Sequence, residues 1–230
     1  MITDLFDFEE LKTRKLFGIK RYKESLYRGE VESSRRHGQG VCVYEVGRVY
    51  EGDWAEDKRH GKGFERFSSG SQYLGDYVNG RISGRGIYSW PNGDSYDGDL
   101  VNGVKQGYGT WRGSALTGGD VYTGEWSNNK HHGYGTQEWA NGDRYEGEWL
   151  VSLRHGQGSD TFSSGDSYLG EYRYGRANGY GTYRWCENST YAGEFVDGLK
   201  HGKGVWRNAD NTETYQGEYE NDVKQGKGEF

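Results

Sequence analysis

Nine acidic side chains recur at nearly constant spacing and are the first residues that could do chemistry. They are Glu30, Asp53, Asp76, Asp99, Glu125, Glu148, Glu171, Glu194 and Glu218. Two carboxylates in different environments can act as a general acid and a general base. Nothing distinguishes one pair among nine equivalent residues, so the pattern indicates a solvated row of charge along a strand face rather than an active site.

Histidines and glycine pairs are the next candidates. Five of the six histidines directly precede a Gly-x-Gly pair: His37, His60, His132, His155 and His201. Other copies carry Ser83, Gln106, Asn178 or Gln225 there, so the position needs a hydrogen-bonding group and not a base or ligand. His131 beside His132 is too small a set for a metal site, and the glycine pairs lack the context of a nucleotide-binding loop. We therefore predict no enzyme activity, no metal and no cofactor.

These residues all belong to one unit that occurs nine times. Each copy opens with a tyrosine, at Tyr27, Tyr50, Tyr73, Tyr96, Tyr122, Tyr145, Tyr168, Tyr191 and Tyr215, with steps of 23, 24 or 26 residues. Glycine follows two residues later and a bulky apolar residue four later, and this period of two is typical of one face of a β-strand. The acid stands between them, three residues after the tyrosine. A fixed period of this length predicts a repeat array.

The second half of each copy is predicted to be another strand, which makes each copy a β-hairpin. It begins at the Gly-x-Gly pair, where glycine leaves room for a group from a neighbouring strand. A second turn joins one copy to the next, and its key position is Gly47, Gly70, Gly93, Gly119, Gly142, Gly165, Asn188 or Asn211. Since asparagine is the usual non-glycine residue at positive φ, this substitution predicts a left-handed conformation there.

Aromatic residues form the main candidate binding surface. Six of them stand four residues after the later glycine, on the glycine face: Tyr44, Phe67, Trp90, Trp139, Phe162 and Trp185. Trp54, Trp126 and Trp149 lie on the same face, four residues after the leading tyrosine. Rigid rings with polar margins suit an extended peptide or an amphipathic helix. The alternative is that the rings only hold the sheet together.

The combination of Tyr-x-Gly-Glu-Trp with His-Gly-x-Gly, as at Tyr145 to Trp149 and His155 to Gly158, resembles the MORN (membrane occupation and recognition nexus) repeat. The resemblance covers residues 27–230, with the last copy truncated. It implies an all-β fold, in which stacked antiparallel hairpins form an elongated, twisted single-layer sheet with a groove. It also implies architectural roles, as in radial spoke heads of cilia and flagella.

Residues 1–26 lie outside the repeats and are predicted to form a separate extension. Asp4 as an N-cap and Gly18 as a stop predict a short helix over Leu5 to Phe17. The segment from Lys12 to Lys23 has six basic residues and no acidic one: Lys12, Arg14, Lys15, Lys20, Arg21 and Lys23. This extension either caps the open edge of the first hairpin or contacts a partner or an anionic surface.

Composition alone is misleading here. Forty glycines among 230 residues, 32% hydrophobic residues and a mean hydropathy of -1.07 resemble a disordered chain, whereas 16% aromatics in strict periodicity predict order. Cys42 and Cys186 follow no metal spacing and are predicted to be reduced thiols. No apolar run is long enough for a signal or membrane span, so we expect a cytoplasmic protein.

Three functions remain open. The first is a non-enzymatic scaffold in an axoneme or other cytoskeletal assembly, which binds proteins through its groove and ends and self-associates through an open edge strand. The second is binding of acidic phospholipids through the basic extension, which the net charge of -6 opposes. The third is a regulatory segment of an enzyme, since such arrays accompany some lipid kinases and lysine methyltransferases. We expect no nucleic acid partner.

Overall fold

The chain folds almost entirely into strands. The computed structural model describes residues 5–229, and their side chains as far as 226. Over this range it has one α-helix and strands β1 to β19, in two compact units of residues 1–117 and 118–230, which we call the first and second unit. The predicted all-β class of stacked antiparallel hairpins with a short N-terminal helix is confirmed.

The first unit begins with helix α1 (Phe8–Thr13) and ends with a 3-10 turn (Ala115–Thr117). Its strands are β1 (Phe17–Tyr22), β2 (Ser25–Glu32), β3 (Arg35–Tyr44), β4 (Val49–Ala55), β5 (Lys58–Arg66), β6 (Gln72–Val78), β7 (Arg81–Ser89), β8 (Ser95–Val101) and β9 (Val104–Arg112). Each strand pairs antiparallel with the next.

The second unit has the same construction without a helix in its described part. Its strands are β10 (Val121–Ser127), β11 (Lys130–Glu138), β12 (Arg144–Leu150), β13 (Leu153–Thr161), β14 (Ser167–Arg173), β15 (Arg176–Arg184), β16 (Thr190–Val196), β17 (Leu199–Arg207), β18 (Thr214–Glu220) and β19 (Val223–Glu229). They too pair antiparallel in chain order.

Left-handed residues make both kinds of turn. The turn between copies has positive φ at the predicted position, from 59° at Asn211 to 94° at Gly165, which confirms the prediction. The turn inside each hairpin has two consecutive left-handed residues, such as Asn128 and Asn129, as two-residue hairpin loops require. Val151 occupies such a site with φ 53°, which is unfavourable for a β-branched residue.

The N-terminal extension differs from the prediction. The helix spans only Phe8–Thr13, and Asp7 is its N-cap, accepting hydrogen bonds from the backbone of Glu9 and Glu10. Asp4 lies outside the described residues. Phe17, expected at the helix end, instead begins β1, because the following residues pair with β2 from Phe17↔Glu30 to Tyr22↔Ser25. A free strand edge is available there, so pairing outweighs helix propensity. The extension therefore caps the first hairpin, as one of the two alternatives predicted.

The core is made of tyrosine rings lying over bare glycine backbone. Tyr50 is fully buried, and Gly52 and Gly63 face each other beneath it. A Cβ added to Gly63 would lie 2.5 Å from the Tyr50 ring, and one added to Gly52 would lie 2.5 Å from the Cα of Gly63. The Tyr50 hydroxyl donates a 2.8 Å hydrogen bond to the Asp53 carbonyl oxygen. Equivalent bonds of 2.7 to 3.4 Å recur in the other copies.

A second row of rings locks neighbouring hairpins together. The Trp54 ring packs edge-on against Tyr50 of its own hairpin at 5.1 Å and against Tyr27 of the preceding one at 5.4 Å. Trp149 does the same with Tyr145 and Tyr122. Edge-to-face pairs at this distance are favourable beyond the area they bury. These two rows account for most of the core and need few aliphatic side chains.

Candidate partner-binding surface

The repeated acids have a structural role that the sequence reading missed. Gly61 is left-handed (φ 58°), and at this point the register of β4 and β5 shifts. The Asp53 carboxylate closes the resulting bulge by accepting a 2.9 Å hydrogen bond from the Lys62 amide. The same bond is made by Glu30, Asp76, Asp99, Glu125, Glu148, Glu171 and Glu194. The predicted solvated row is therefore a row of backbone hydrogen-bond acceptors at the bulges.

The proposed partner-groove residues fall into two classes of exposure. Trp54, Trp126 and Trp149 are only 3%, 4% and 7% exposed, so their rings belong mainly to the core. The other six proposed residues are half-buried: Tyr44, Phe67, Trp90, Trp139, Phe162 and Trp185. They stand where each second strand gives way to the turn, as the bond from the Trp90 amide to Asp94 illustrates. Accessible aromatic surface lies with this second class.

Four further rings lie on the same face and were not among the candidates. Tyr88, Trp111, Tyr183 and Trp206 stand directly opposite the leading tyrosines of their hairpins and are half-buried. Tyr88 stacks on Phe67 at 5.7 Å and contacts Trp90 at 4.6 Å. Counting back two residues from Trp90 or Trp185 would have found Tyr88 and Tyr183, because alternate residues of a strand share a face.

Basic side chains lie across these rings. The Lys105 ammonium is 5.5 Å from the Trp90 ring centre and 5.1 Å from that of Tyr96. Burial lowers the pKa of Lys105 to about 8, partly offset by the charge of Asp94. Lys200 lies 5.3 Å from the Trp185 ring centre and 5.8 Å from that of Tyr191. A cation held over rings in this way can meet an anionic ligand group.

Two buried carboxylates complete the face. Glu65, 1% exposed, accepts hydrogen bonds from Arg59 at 2.6 Å and from the Tyr77 hydroxyl at 2.8 Å, and pairs with Arg48. Asp160, 4% exposed, accepts 2.6 Å bonds from Arg154 and from the Tyr172 hydroxyl. Both carboxylates are saturated with donors from their own unit, so they stabilise the face rather than offer it a reactive group.

Comparison with known families gives the class of the repeats. The MORN repeat model matches nine segments: residues 27–47, 50–72, 73–95, 96–114, 122–144, 145–167, 168–190, 191–213 and 215–230. The chain belongs to the MORN repeat family. The predicted resemblance is thereby confirmed along nearly the whole chain.

The MORN array is also similar to solved structures of low sequence identity. No curated protein sequence matches it significantly. The TCP10 domain of CPAP from Danio rerio is 8% identical, with a TM-score of 0.48 over 87% of this chain and 94% of that one. The same domain in complex with a peptide of Danio rerio STIL gives a TM-score of 0.41 at 8% identity, over 85% and 96% of the chains. Likeness at this level is not evidence of a shared function.

The basic residues that precede the MORN repeats are partly engaged within the protein. Lys12 pairs with Glu9 at 2.6 Å, and Arg14 lies 3.4 Å from Glu30. Lys20 donates to the Ser34 carbonyl oxygen. Lys15, Arg21 and Lys23 are exposed. The six residues therefore form no uniform basic patch.

Within residues 5–229 no helix is long and apolar enough to cross a membrane. Across the same residues, His, Cys, Asp and Glu side chains form no group of three or more suited to a metal ion. Cys42 is buried, Cys186 is exposed, and both are free thiols.

Proposed function

We propose that the protein is a non-enzymatic scaffold that binds partner proteins through the half-buried rings of its aromatic face. The observation that carries this proposal is the difference in burial between two sets of rings. The leading tyrosines, and the residues four positions after them in every repeat but the first, are nearly fully buried and hold the hairpins together. The ring row ending each second strand is half-buried and adds surface beyond what that core requires.

Half-buried aromatic side chains in rows are suited to protein recognition. Each ring offers a large contact area with little conformational entropy to lose on binding. The rows follow successive strands, so they match a partner that is extended, such as a peptide or one face of a helix. We place the scaffold in a cytoskeletal or axonemal assembly, a choice that rests on the resemblance to architectural MORN proteins and not on any residue.

The test is capture of partners from the native cell with two variants of the full chain. The first replaces Trp90, Trp139 and Trp185 by alanine. The matched control replaces Leu74, Tyr134 and Leu169, which are 42%, 53% and 64% exposed on the opposite face, by alanine. We expect wild type and control to recover the same cytoskeletal proteins and the tryptophan variant to lose them while keeping its circular dichroism. Equal recovery by all three would refute the proposed surface.

Two alternatives are tested beside the capture experiment. Binding to vesicles of acidic phospholipid, lost when Lys15, Arg21 and Lys23 are replaced by glutamine, would favour a membrane tether. Copurification of the tryptophan variant with further copies of the chain would favour self-association through a strand edge. No contact in the described residues favours either over the aromatic face, and the ion pairs of Lys12 and Arg14 weaken the first.

A further inference from the structure

The nine MORN repeats are not equivalent but follow a longer period of four. The residue opposite each leading tyrosine is Cys42, Glu65, Tyr88 and Trp111 in the first four repeats, and Gln137, Asp160, Tyr183 and Trp206 in the next four. The ring row reads tyrosine, phenylalanine, tryptophan, glycine and then tryptophan, phenylalanine, tryptophan, asparagine. Each unit thus carries one copy of the same four-repeat pattern.

The second, third and fourth repeats of each pattern build the same cluster. In the first unit Phe67 stacks on Tyr88 with rings 23° apart, and Tyr88 contacts Trp90 at 4.6 Å. In this unit the Lys105 ammonium lies 5.5 Å from the Trp90 ring centre.

The second unit reproduces this cluster with equivalent residues. Phe162 stacks on Tyr183 with rings 29° apart, and Tyr183 contacts Trp185 at 4.8 Å. Lys200 lies 5.3 Å from the Trp185 ring centre. The two clusters agree in residue type, contact and distance, although only these few face positions, and not the whole sequence, follow the longer period.

The tyrosine, tryptophan and lysine of the cluster are not demanded by the hairpin frame. Other repeats have cysteine, glutamate, glutamine, aspartate or tryptophan in place of the tyrosine. The position of the lysine is held in the other repeats by Arg36, Arg59, Ile82, His131, Arg154, Ala177 and Lys224, so it is often basic but not always. They nevertheless form the same buried tyrosine and bulge contacts. A combination that recurs in both units without being required by the fold points to a shared ligand.

The chemistry of the cluster selects the ligand. A lysine ammonium over the rings repels cations, so the cluster is unsuited to a methylated lysine or a choline group. A carboxylate beside the lysine makes a charge-assisted hydrogen bond, while apolar side chains next to that carboxylate cover the half-buried rings. The hairpin strands on which these groups stand favour an extended ligand over a compact one.

We propose that each unit binds one copy of the same short, extended peptide motif, a carboxylate side chain flanked by apolar residues, on its Phe-Tyr-Trp-Lys cluster. This inference rests on the proposed scaffold function and specifies its ligand and its stoichiometry of two. A partner that carries the motif twice, or is itself a dimer, gains avidity only if its spacing lets both motifs bind at once.

The two clusters differ in their charged surroundings. Lys200 has the Asp222 carboxylate 3.9 Å away, and the Tyr183 hydroxyl donates to Asp166 at 2.8 Å. Near Lys105 stands Asp94, whose carboxylate already accepts a 2.9 Å hydrogen bond from the Ser114 amide. Each cluster therefore has an acidic side chain near its lysine, and the two clusters present different charged surroundings to an acidic ligand.

The experiment selects ligands from a library of random linear peptides displayed on phage, with the full chain as bait, and titrates the enriched peptide by calorimetry. We expect enriched sequences to pair an acidic residue with apolar neighbours and to bind twice per chain. Lys105→Gln and Lys200→Gln each remove one of the two binding events or weaken it roughly tenfold, the loss of one charge-assisted bond. Lys105→Met and Lys200→Met provide a second pair that retains the packing of the side-chain stem.

The matched control is Lys203→Gln, an exposed lysine at the middle of a Gly-x-Gly pair, which leaves both events unchanged. Enriched peptides without an acid, a stoichiometry of one, or binding indifferent to both lysine pairs would overturn the inference. So would failure to enrich any peptide. In each case tryptophan-dependent capture of a partner would still support the scaffold function, so the two failures are distinguishable.

Discussion

Glu65 in the first unit and Asp160 in the second occupy the same place, 15 residues after Tyr50 and Tyr145, but they are neutralised differently. Glu65 has two guanidinium partners, Arg48 and Arg59, and a tyrosine hydroxyl. Asp160 has one guanidinium and a tyrosine hydroxyl. Burial raises the pKa of Asp160, although Tyr172 and Arg154 lower it in turn. Burial alone would lower the pKa of Arg48, but Glu65 raises it.

One position explains the difference. Arg48 stands two residues before its leading tyrosine, and Asp143 takes that position in the second unit. The Asp143 carboxylate accepts a 2.8 Å hydrogen bond from the Ser163 amide and so serves the turn instead of the buried acid. Net charge follows the same direction, with 18 basic and 17 acidic residues in the first unit and 11 and 18 in the second. The backbone frame is thus held constant while face charge varies from unit to unit.

The largest expected effect separates the two buried acids. Glu65→Gln leaves two half-buried guanidinium groups, 32% and 20% exposed, without their buried carboxylate and should destabilise the first unit by about 3 kcal/mol. Asp160→Asn removes a charge that burial already penalises and should cost the second unit about 1 kcal/mol or less. Hydrogen exchange read by mass spectrometry measures each unit separately. Equal losses would mean that Arg48 contributes nothing to the difference.

The second prediction concerns the frame that the units share. Gly63→Ala and Gly158→Ala push a methyl group into the rings of Tyr50 and Tyr145. Each should cost about 2 to 3 kcal/mol, with no difference between the units, because overpacking a rigid contact is destabilising. Lys62→Ala and Ser159→Ala, on the neighbouring opposite-face positions, are the controls and should change urea midpoints little. If the stability losses of Gly63→Ala and Gly158→Ala differed by more than the smaller of the two losses, the two units would not share the same tyrosine and glycine contact.

Turn strain gives a smaller contrast. Val151 and Glu56 hold the same left-handed turn position, with φ 53° and 50°. Asparagine tolerates this conformation better than a β-branched residue, so Val151→Asn should stabilise the second unit by about 1 kcal/mol. Glu56→Asn should gain less, since glutamate is not β-branched. Thermal unfolding of both variants measures the contrast, and a larger gain from Glu56→Asn would exclude side-chain branching as its cause.

The smallest effect depends on pH. A carboxyl with a raised folded pKa, such as Asp160, binds protons more readily in the folded state. Its contribution to stability therefore grows as pH falls through the folded pKa and is constant above it. The free energy of unfolding of wild type should rise relative to that of Asp160→Asn by about 1 kcal/mol or less as pH falls from neutral towards the pKa of an aspartate in the unfolded chain. Paired urea titrations at several pH values measure the difference in unfolding free energy between the two proteins. An increase in the stability of Asp160→Asn relative to wild type as pH falls would contradict the prediction.

The hairpin backbone was predictable from the sequence because the tyrosine, glycine and acid that build it recur in every repeat. Tyrosine, glycine and acid spacing predicted the strands, the hairpins and the left-handed turns, all of which the structure contains. The role of the repeated acids was harder to predict. The hydrogen bond from the Lys62 amide to Asp53 depends on a β-bulge that the sequence pattern does not indicate. Strand β1 was missed for a similar reason: its partner, the free edge of β2, is a tertiary feature.

The candidate site was only partly predictable. The ring row was found from its spacing, but treating all repeats as equal concealed Tyr88, Tyr183 and the lysines beside them. Burial separated Trp54, Trp126 and Trp149 from the accessible rings, and burial depends on neighbouring hairpins that the sequence does not place. Whether any of these residues binds a partner stays a prediction.

Tyrosine over bare glycine backbone also affects how such chains can lengthen. The contact that joins Tyr50 to Gly52 and Gly63 involves ring and backbone, with no side chain from the variable positions. A tandem duplication of several hairpins would therefore carry its own tyrosine and glycine contacts with it. Later substitutions among the half-buried residues of the sheet face would leave those contacts intact. The agreement of two four-repeat patterns in one chain is what such a copying event, followed by separate change in charge, would leave behind.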